Sequence, residues 1–284
     1  MNTVCIYHAH CADGFTSAWV VKEYFTDREV EFIPAKYGDT PPDVTGKEVY
    51  IVDFSYPKDE MEKIIRYASR TTVFDHHKTA EKNLSDINVE GSSYNIVFDM
   101  DRAGCQITWD YLFPHKTGNR PPVLDHIADR DLWKWEIPDT DIVTSAVFSY
   151  PMDFDTWDFI MQYDSYDTLL LEGKAILRKQ SKDIESLIHT TVESKTFYAN
   201  GKYHSVPVAN VNGMFASDMG HKLLEVFQDA PFSVTYYTTS EGVYKLSFRS
   251  TDDREDVSVI AEAFGGGGHR NASGAYVDVL PWGE

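Results

Sequence analysis

Thr71-Thr72-Val73-Phe74-Asp75-His76-His77 decides the reading of this chain. Its first four residues are β-branched or aromatic, as in a buried strand. Its last three are a carboxylate and two imidazoles. Unpaired charge at the end of a buried element costs several kcal/mol, or shifts its pKa until it is neutral, unless something binds it. Two other apolar runs end the same way. Val4-Cys5-Ile6-Tyr7 leads into His8-Ala9-His10-Cys11-Ala12-Asp13-Gly14, and Val49-Tyr50-Ile51-Val52 leads into Asp53. Ligands of an open α/β sheet bind beyond the carboxyl ends of its strands, so these polar ends should converge on one crevice. Imidazoles with carboxylates and no paired thiolates suit manganese, magnesium or iron better than structural zinc.

Working outward, the first half alternates strand and helix. Gly14 to Phe25 has apolar residues at helical spacing, and Val30 to Pro34 is a short strand. The loop from Gly38 to Gly46 carries Pro41-Pro42, which forbids regular pairing. Ser55 before Pro57 predicts a helix start, with Met61, Ile64, Ile65 and Ala68 on one face. This βαββαβ order implies a mostly parallel sheet flanked by helices. Beyond Asp99 the pattern is helical, over Arg102 to Leu112 and Pro122 to Leu132. A long charged helix is expected over about Tyr166 to Lys195. Strands at Val206–Val211, Ser233–Tyr237 and Val243–Phe248, with a helix over Phe215–Phe227 between the first two, then form a smaller α/β domain. The expected fold is α/β in three parts: a metal-binding domain over 1–165, a linker helix over 166–197 and a substrate-binding domain over 198–284.

Composition bounds the function. The net charge of −19 argues against a protein that grips long nucleic acid, because backbone affinity comes largely from clustered Lys and Arg. A small anionic substrate is compatible, given local cations or metals. Cys5, Cys11 and Cys105 include no CxxC pair and cannot form a fully paired disulfide framework, which fits a reducing cytoplasm. No run approaches the ~20 apolar residues of a membrane span, and no signal-peptide pattern opens the sequence, so a cytoplasmic, non-membrane protein is expected.

The C-terminal part has its own signature, Gly265-Gly266-Gly267-Gly268-His269-Arg270-Asn271-Ala272-Ser273-Gly274. Consecutive glycines leave backbone N–H groups unshielded, and His269 and Arg270 add donors for phosphate oxygens or base edges. No Gly-Lys-Ser/Thr follows and no strand-GxGxxG-helix unit surrounds it, so it is neither a Walker loop nor a dinucleotide fingerprint. Arg249 ends the strand before it and brings a guanidinium fork suited to phosphate.

Together these motifs resemble the DHH phosphoesterase superfamily, in the subtype with a DHH-associated C-terminal domain and oligoribonuclease (nanoRNase) members. Asp75-His76-His77 matches the naming motif, His8 to Gly14 the first motif, Asp53 the second, and Gly265 to Gly274 the GGGH motif. The match covers nearly the whole chain. The resemblance implies two manganese ions, with magnesium the alternative, bridged by Asp53. His76 and Asp13 would hold one ion and His8 the other. Asp129 resembles the fourth-motif ligand, with Asp131 the other alignment of the same segment. Asp75 would orient its neighbours and His77 would face the scissile phosphate. Arg249, Gly266, Gly267, Gly268, His269 and Arg270 would hold the rest of the substrate. One departure stands out: Cys11 occupies the place of the earlier first-motif Asp. Either Cys11 is a softer ligand, His10 substitutes, or one metal is held more weakly.

Two cations in such a site activate water and neutralise phosphoryl oxygens during in-line attack, so no side-chain nucleophile is needed. The expected activity is hydrolysis of short oligonucleotides, RNA dinucleotides above all, to 5'-mononucleotides, by a protein for which a homodimer is compatible. A phosphatase acting on 3'-phosphoadenosine 5'-phosphate is the alternative within the class. A non-catalytic nucleotide-binding protein is the alternative outside it.

Overall fold

The structure, a computed structural model, describes residues 2–283. The chain divides into two compact units, one ending at Leu177 and one beginning at Arg178. The first contains β1 (Thr3–His8), α1 (Ala12–Tyr24), β2 (Val30–Ala35), β3 (Glu48–Val52), α2 (Lys58–Tyr67), β4 (Arg70–Asp75), α3 (Lys78–Leu84) and β5 (Tyr94–Phe98). The helices α4 (Gly104–Leu112), α5 (Pro122–Asp131), α6 (Thr140–Val147) and α7 (Phe154–Ile160) follow, and α8 (Tyr166–Thr191) runs across the division. The α/β class is as the alternation predicts.

The five strands pair in parallel in the order β2-β1-β3-β4-β5. Alternate side chains enter two cores. Cys5, Tyr50, Val52 and Phe74 face α1 and α4–α7, whereas Val4, Ile6, Val49, Ile51 and Val73 face the side of α2 and α3. A sheet buried on both faces explains why its strands read as continuous apolar runs rather than alternating ones. From β1 the chain passes to β2 on one side, then returns to β3 on the other. The topological switch therefore lies between β1 and β3, whose carboxyl ends carry His8 and Asp53.

The second unit contains β6 (Val192–Ala199), β7 (Lys202–Asn210), α9 (Ala216–Val226), β8 (Ser233–Thr238), β9 (Tyr244–Arg249), α10 (Val257–Glu262), β10 (Gly267–Gly268) and β11 (Ala272–Val277). Its sheet runs β10-β11-β9-β8-β7-β6, with β7 and β8 parallel and the other pairs antiparallel. Phe197, Val208, Val234, Leu246 and Phe248 pack against Val257, Ile260 and Ala261 of α10 on one face. Met219 and Leu223 of α9 pack with Ala209 and Val211.

Two sequence expectations are corrected. The charged helix stops at Thr191 and gives way to β6, because the β-branched Val192 and Thr196 and the buried Phe197 pair with β7. Ser55 does not cap α2, which begins at Lys58 after Pro57. The Ser55 hydroxyl instead donates to Asp75 Oδ2 at 2.5 Å.

Candidate metal centre

The three strand ends do converge. His76 Nε2 lies 3.0 Å from Asp53 Oδ1, and 3.4 Å from both Asp13 Oδ2 and Asp131 Oδ2. On the other side of Asp53, Oδ2 lies 3.4 Å from His8 Nδ1. The two oxygens of one carboxylate are thus divided between two donor sets. Asp13, His76 and Asp131 form one set, and His8 and Cys11 gather with Asp53 in the other, the ligand atoms of each lying within 4.8 Å of one another.

Local backbone geometry holds these groups in place. Asp13, in the first turn of α1, accepts from the backbone N–H of Gly104 at 2.7 Å and of Cys105 at 2.8 Å, the first two residues of α4. A carboxylate is favoured there by the unpaired N–H groups and the helix dipole. Gly104 is required by this approach, because a Cβ would stand 2.7 Å from Asp53 Cβ and 2.9 Å from Asp13 Oδ2. Asp53 itself adopts a left-handed φ of 54°, an uncommon conformation that Asp tolerates better than most residues. Its N–H still donates to Phe74 O at 2.8 Å.

Asp75 faces inward as a hub. Its Oδ1 accepts from the N–H of His76 at 2.8 Å, the N–H of His77 at 3.1 Å and His77 Nδ1 at 2.7 Å. With Ser55 on Oδ2 its acceptors are well occupied. It orients both histidines and holds the His77 ring by Nδ1.

The electrostatics follow from crowding. Burial alone would strip His76 of its proton. The Asp53 hydrogen bond and the charges of Asp131 and Asp13 outweigh it and raise its pKa to about 10. Burial pushes the Asp53 carboxyl up as well, but the imidazoles of His76 and His8 hold it well below the usual carboxylate range. Burial, then the charges of Asp53 and Asp131, raise Asp13 well above that range. Burial and the charges of Asp53, Asp131 and Asp13 likewise raise the Cys11 thiol. The cluster holds more negative charge than its own histidines neutralise.

The donors fit divalent cations. His8 Nδ1 and Asp53 Oδ2 are buried, face each other at 3.4 Å and make no hydrogen bond among the described residues, so a cation placed between them would find both lone pairs available. Oxygen and imidazole nitrogen predominate, with one thiol, which suits manganese or magnesium.

Asp131, not Asp129, stands against His76. Near the end of α5, residues two apart project about 200° apart around the axis, so only one of them can face the site. Asp129 faces the other way. It accepts from the N–H of Glu136 at 2.9 Å and of Ile137 at 3.2 Å, and from Thr140 Oγ1 at 2.6 Å. It is buried and satisfied by protein donors, so the structure places Asp131, the other alignment of this segment, beside His76 and turns the expected Asp129 away from it. Cys11 is the first-motif departure that lies with His8 and Asp53, whereas His10 is exposed with a left-handed φ of 56°. Sequence reasoning missed Gly104 and the Cys105 N–H, since backbone donors leave no side-chain signal.

In the second unit the glycine run has a packing cause. A Cβ on Gly266 would meet Gly274 O at 2.1 Å, and one on Gly268, whose φ is 139°, would meet Ala272 O at 2.7 Å. Gly267 and Gly268 pair with Gly274 and Ser273 of β11, and the N–H of His269 donates to Ala272 O at 2.8 Å. Arg270 Nη2 donates to Asp252 O and Arg254 O, both at 2.9 Å, so its guanidinium braces the loop before α10. Arg249 donates to Phe248 O at 2.8 Å and Ser217 Oγ at 2.7 Å.

No family model matches the chain. Among curated proteins it is 34% identical over 291 residues to the uncharacterized protein R106 of Acanthamoeba polyphaga mimivirus, covering 95% of this chain and 66% of the relative. It is 23% identical over 245 residues to oligoribonuclease NrnB of Bacillus subtilis (strain 168), covering 81% of this chain and 59% of that protein. The chain therefore spans somewhat less than two thirds of the length of both curated relatives. Among solved structures, the DHH domain of a member of a ribosomal protein family superposes with a TM-score of 0.64 at 12% identity, covering 98% of this chain and 83% of that one.

Proposed function

We propose that the chain is a member of the DHH phosphoesterase superfamily, in its nanoRNase-like subtype, and a metal-dependent phosphodiesterase that hydrolyses short oligonucleotides, RNA dinucleotides above all, to 5'-mononucleotides. The observation that carries this reading is Asp53, whose two carboxylate oxygens face two separate donor sets. Asp13, His76 and Asp131 would hold one divalent cation. His8 and Cys11 would hold the other, and Asp53 would bridge them. When bound, such a pair, manganese or magnesium, lowers the pKa of water and neutralises phosphoryl oxygens.

The remaining roles belong to the chain itself. Asp75 fixes the orientation of the His77 ring through Nδ1, and we assign His77 the role of facing the scissile phosphate as a hydrogen-bond donor. Asp13, bridged to the start of α4, keeps the histidine-facing carboxylates from shifting as charge develops. In the second unit Arg249 and His269 are the side chains we assign to the rest of the substrate; the glycine run supports them through its packing, since the Gly266 N–H donates to Ala261 O and Gly267 and Gly268 pair with β11. Arg270 belongs with them through the fold it braces. The acidic charge and the absence of a basic track support a short substrate.

The test is a time course on end-labelled oligoribonucleotides from two to about seven residues, with manganese and with magnesium and with Asp53→Ala as the blank. 3'-Phosphoadenosine 5'-phosphate runs alongside. Mononucleotides from the shortest substrates, lost in the variant, are the expected result. Inorganic phosphate from the bisphosphate alone would replace the diesterase reading by the phosphatase one. Binding without turnover of any substrate would replace it by the non-catalytic one.

A further inference from the structure

Immediately after Asp131 the chain does something costly. Trp133 and Trp135 both adopt a left-handed φ of 56°, a conformation that is a steric outlier for a bulky side chain. It persists because the loop is pinned: Asp129 takes the N–H groups of Glu136 and Ile137, and the N–H of Lys134 donates to Asp129 O at 2.9 Å. Lys134 Nζ donates to Asp101 O at 2.7 Å. Strain held in place this firmly, within four residues of Asp131 along the chain, points to a use for the side chains it presents.

Those side chains form an aromatic cluster around one cation. The Trp133 and Trp135 rings meet edge to face at 4.8 Å. The Arg130 guanidinium carbon lies 5.6 Å from the Trp133 ring, 5.5 Å from Trp135 and 4.8 Å from Phe148, at the end of α6. A core cluster would be covered, but Trp135 is 37% exposed and Phe148 is 45% exposed. Arg130 adjoins Asp131, and Trp135 is four residues beyond it, within about 14 Å along the chain at full extension.

We infer that Trp135, supported by Trp133, Phe148 and Arg130, is the surface on which a nucleobase of the substrate stacks. This rests on the phosphodiesterase reading for the identity of the substrate. Every base offers a π-face to an aromatic ring or a guanidinium plane, so the contact is tolerant of sequence. It also answers a difficulty of charge. A chain of net charge −19 repels a nucleotide at long range, so contacts that do not depend on charge add affinity that the overall field does not oppose. An aromatic platform a few residues from a metal ligand supplies such a contact and distinguishes a nucleotide from a bare phosphoester.

The test uses calorimetric titration with AMP, a product that cannot be cleaved further as a diester, and with ribose 5-phosphate, which lacks the base, both with manganese present. Trp135→Ala should weaken AMP about fivefold or more, the cost of one lost stack, while ribose 5-phosphate is unchanged. Trp135→Phe should recover most of the loss, and KM for a dinucleotide should follow AMP with kcat preserved. If Trp135→Ala loses its cooperative melting, Trp135→Leu, which keeps apolar bulk without a ring, carries the same comparison. Unchanged AMP binding in the variant, equal losses for AMP and ribose 5-phosphate, or no AMP binding by the wild type would each overturn the inference. Trp135-dependent AMP binding by a protein that cleaves no oligonucleotide would support the platform and refute the phosphodiesterase reading alone.

Discussion

Gly104→Ala is the smallest change that should disable the centre without removing any donor. The added Cβ would stand 2.7 Å from Asp53 Cβ, 2.9 Å from Asp13 Oδ2 and 3.1 Å from Asp53 Cα. Restoring ordinary contact at about 3.4 Å requires Asp53 Cβ to withdraw by about 0.7 Å and Asp13 Oδ2 by about 0.5 Å, and interiors this tightly packed yield little. Neither neighbour is a flexible side-chain end. Asp53 is buried at the end of β3, and Asp13 is tied to the N–H groups of Gly104 and Cys105. A misplacement of about 1 Å can cost about a hundredfold in rate, so a shift of this size should lower kcat on the order of tenfold. Overpacking costs about 1–3 kcal/mol, and the better helix propensity of Ala returns up to about 1 kcal/mol of it. The variant should therefore stay folded. Gly118→Ala, where nothing lies within 4 Å of the added Cβ, is the control. The assay pairs kcat on a dinucleotide with the rise in Tm on adding manganese. Wild-type turnover together with a wild-type Tm rise in Gly104→Ala would refute the argument that Asp13 and Asp53 are positioned for cations.

Asp131→Asn and Asp129→Asn should separate cleanly: the first keeps its melting temperature but loses most of the manganese-induced rise, read by calorimetry. The second weakens acceptors of three hydrogen bonds and should lose about 1–3 kcal/mol in urea unfolding with the metal response intact. Chelation should lower the Tm of the wild type, because a cation at about 100 times its Kd stabilises by about 2.7 kcal/mol, and Asp53→Ala should abolish the difference. Lys245 gives a pH signature in the second unit. Burial, and then the charge of Arg249, lower its pKa to about 8, while its Nζ lies 4.2 Å from the centroid of the Tyr276 ring. A lysine depressed in the folded state is charged longer in the unfolded chain, so stability should rise as pH climbs from about 8 toward the unfolded value of about 10.4. Urea midpoints of the wild type and Lys245→Met at pH 7.5 and 9.5 check this, and an equal change in both proteins would contradict it.

The primary sequence carried the alternation of the first unit and the polar ends of β1, β3 and β4, because a sheet buried on both faces demands long apolar runs and marks their ends sharply. It did not disclose β5, β6 or β11. These strands are half-exposed or glycine-containing, and their stability comes from pairing partners distant in sequence, such as Gly274 with Ser247. Helix phase at the end of α5 was equally hidden. Ala128-Asp129-Arg130-Asp131 reads the same whichever aspartate faces His76, and the choice was made by the loop whose N–H groups claim Asp129. Residue type and order determined which chemistry this protein could host. Tertiary structure decided which atoms perform it, because backbone donors such as Gly104 N–H, the division of the Asp53 oxygens and the strained turn at Trp133 and Trp135 exist only once separate segments are packed together.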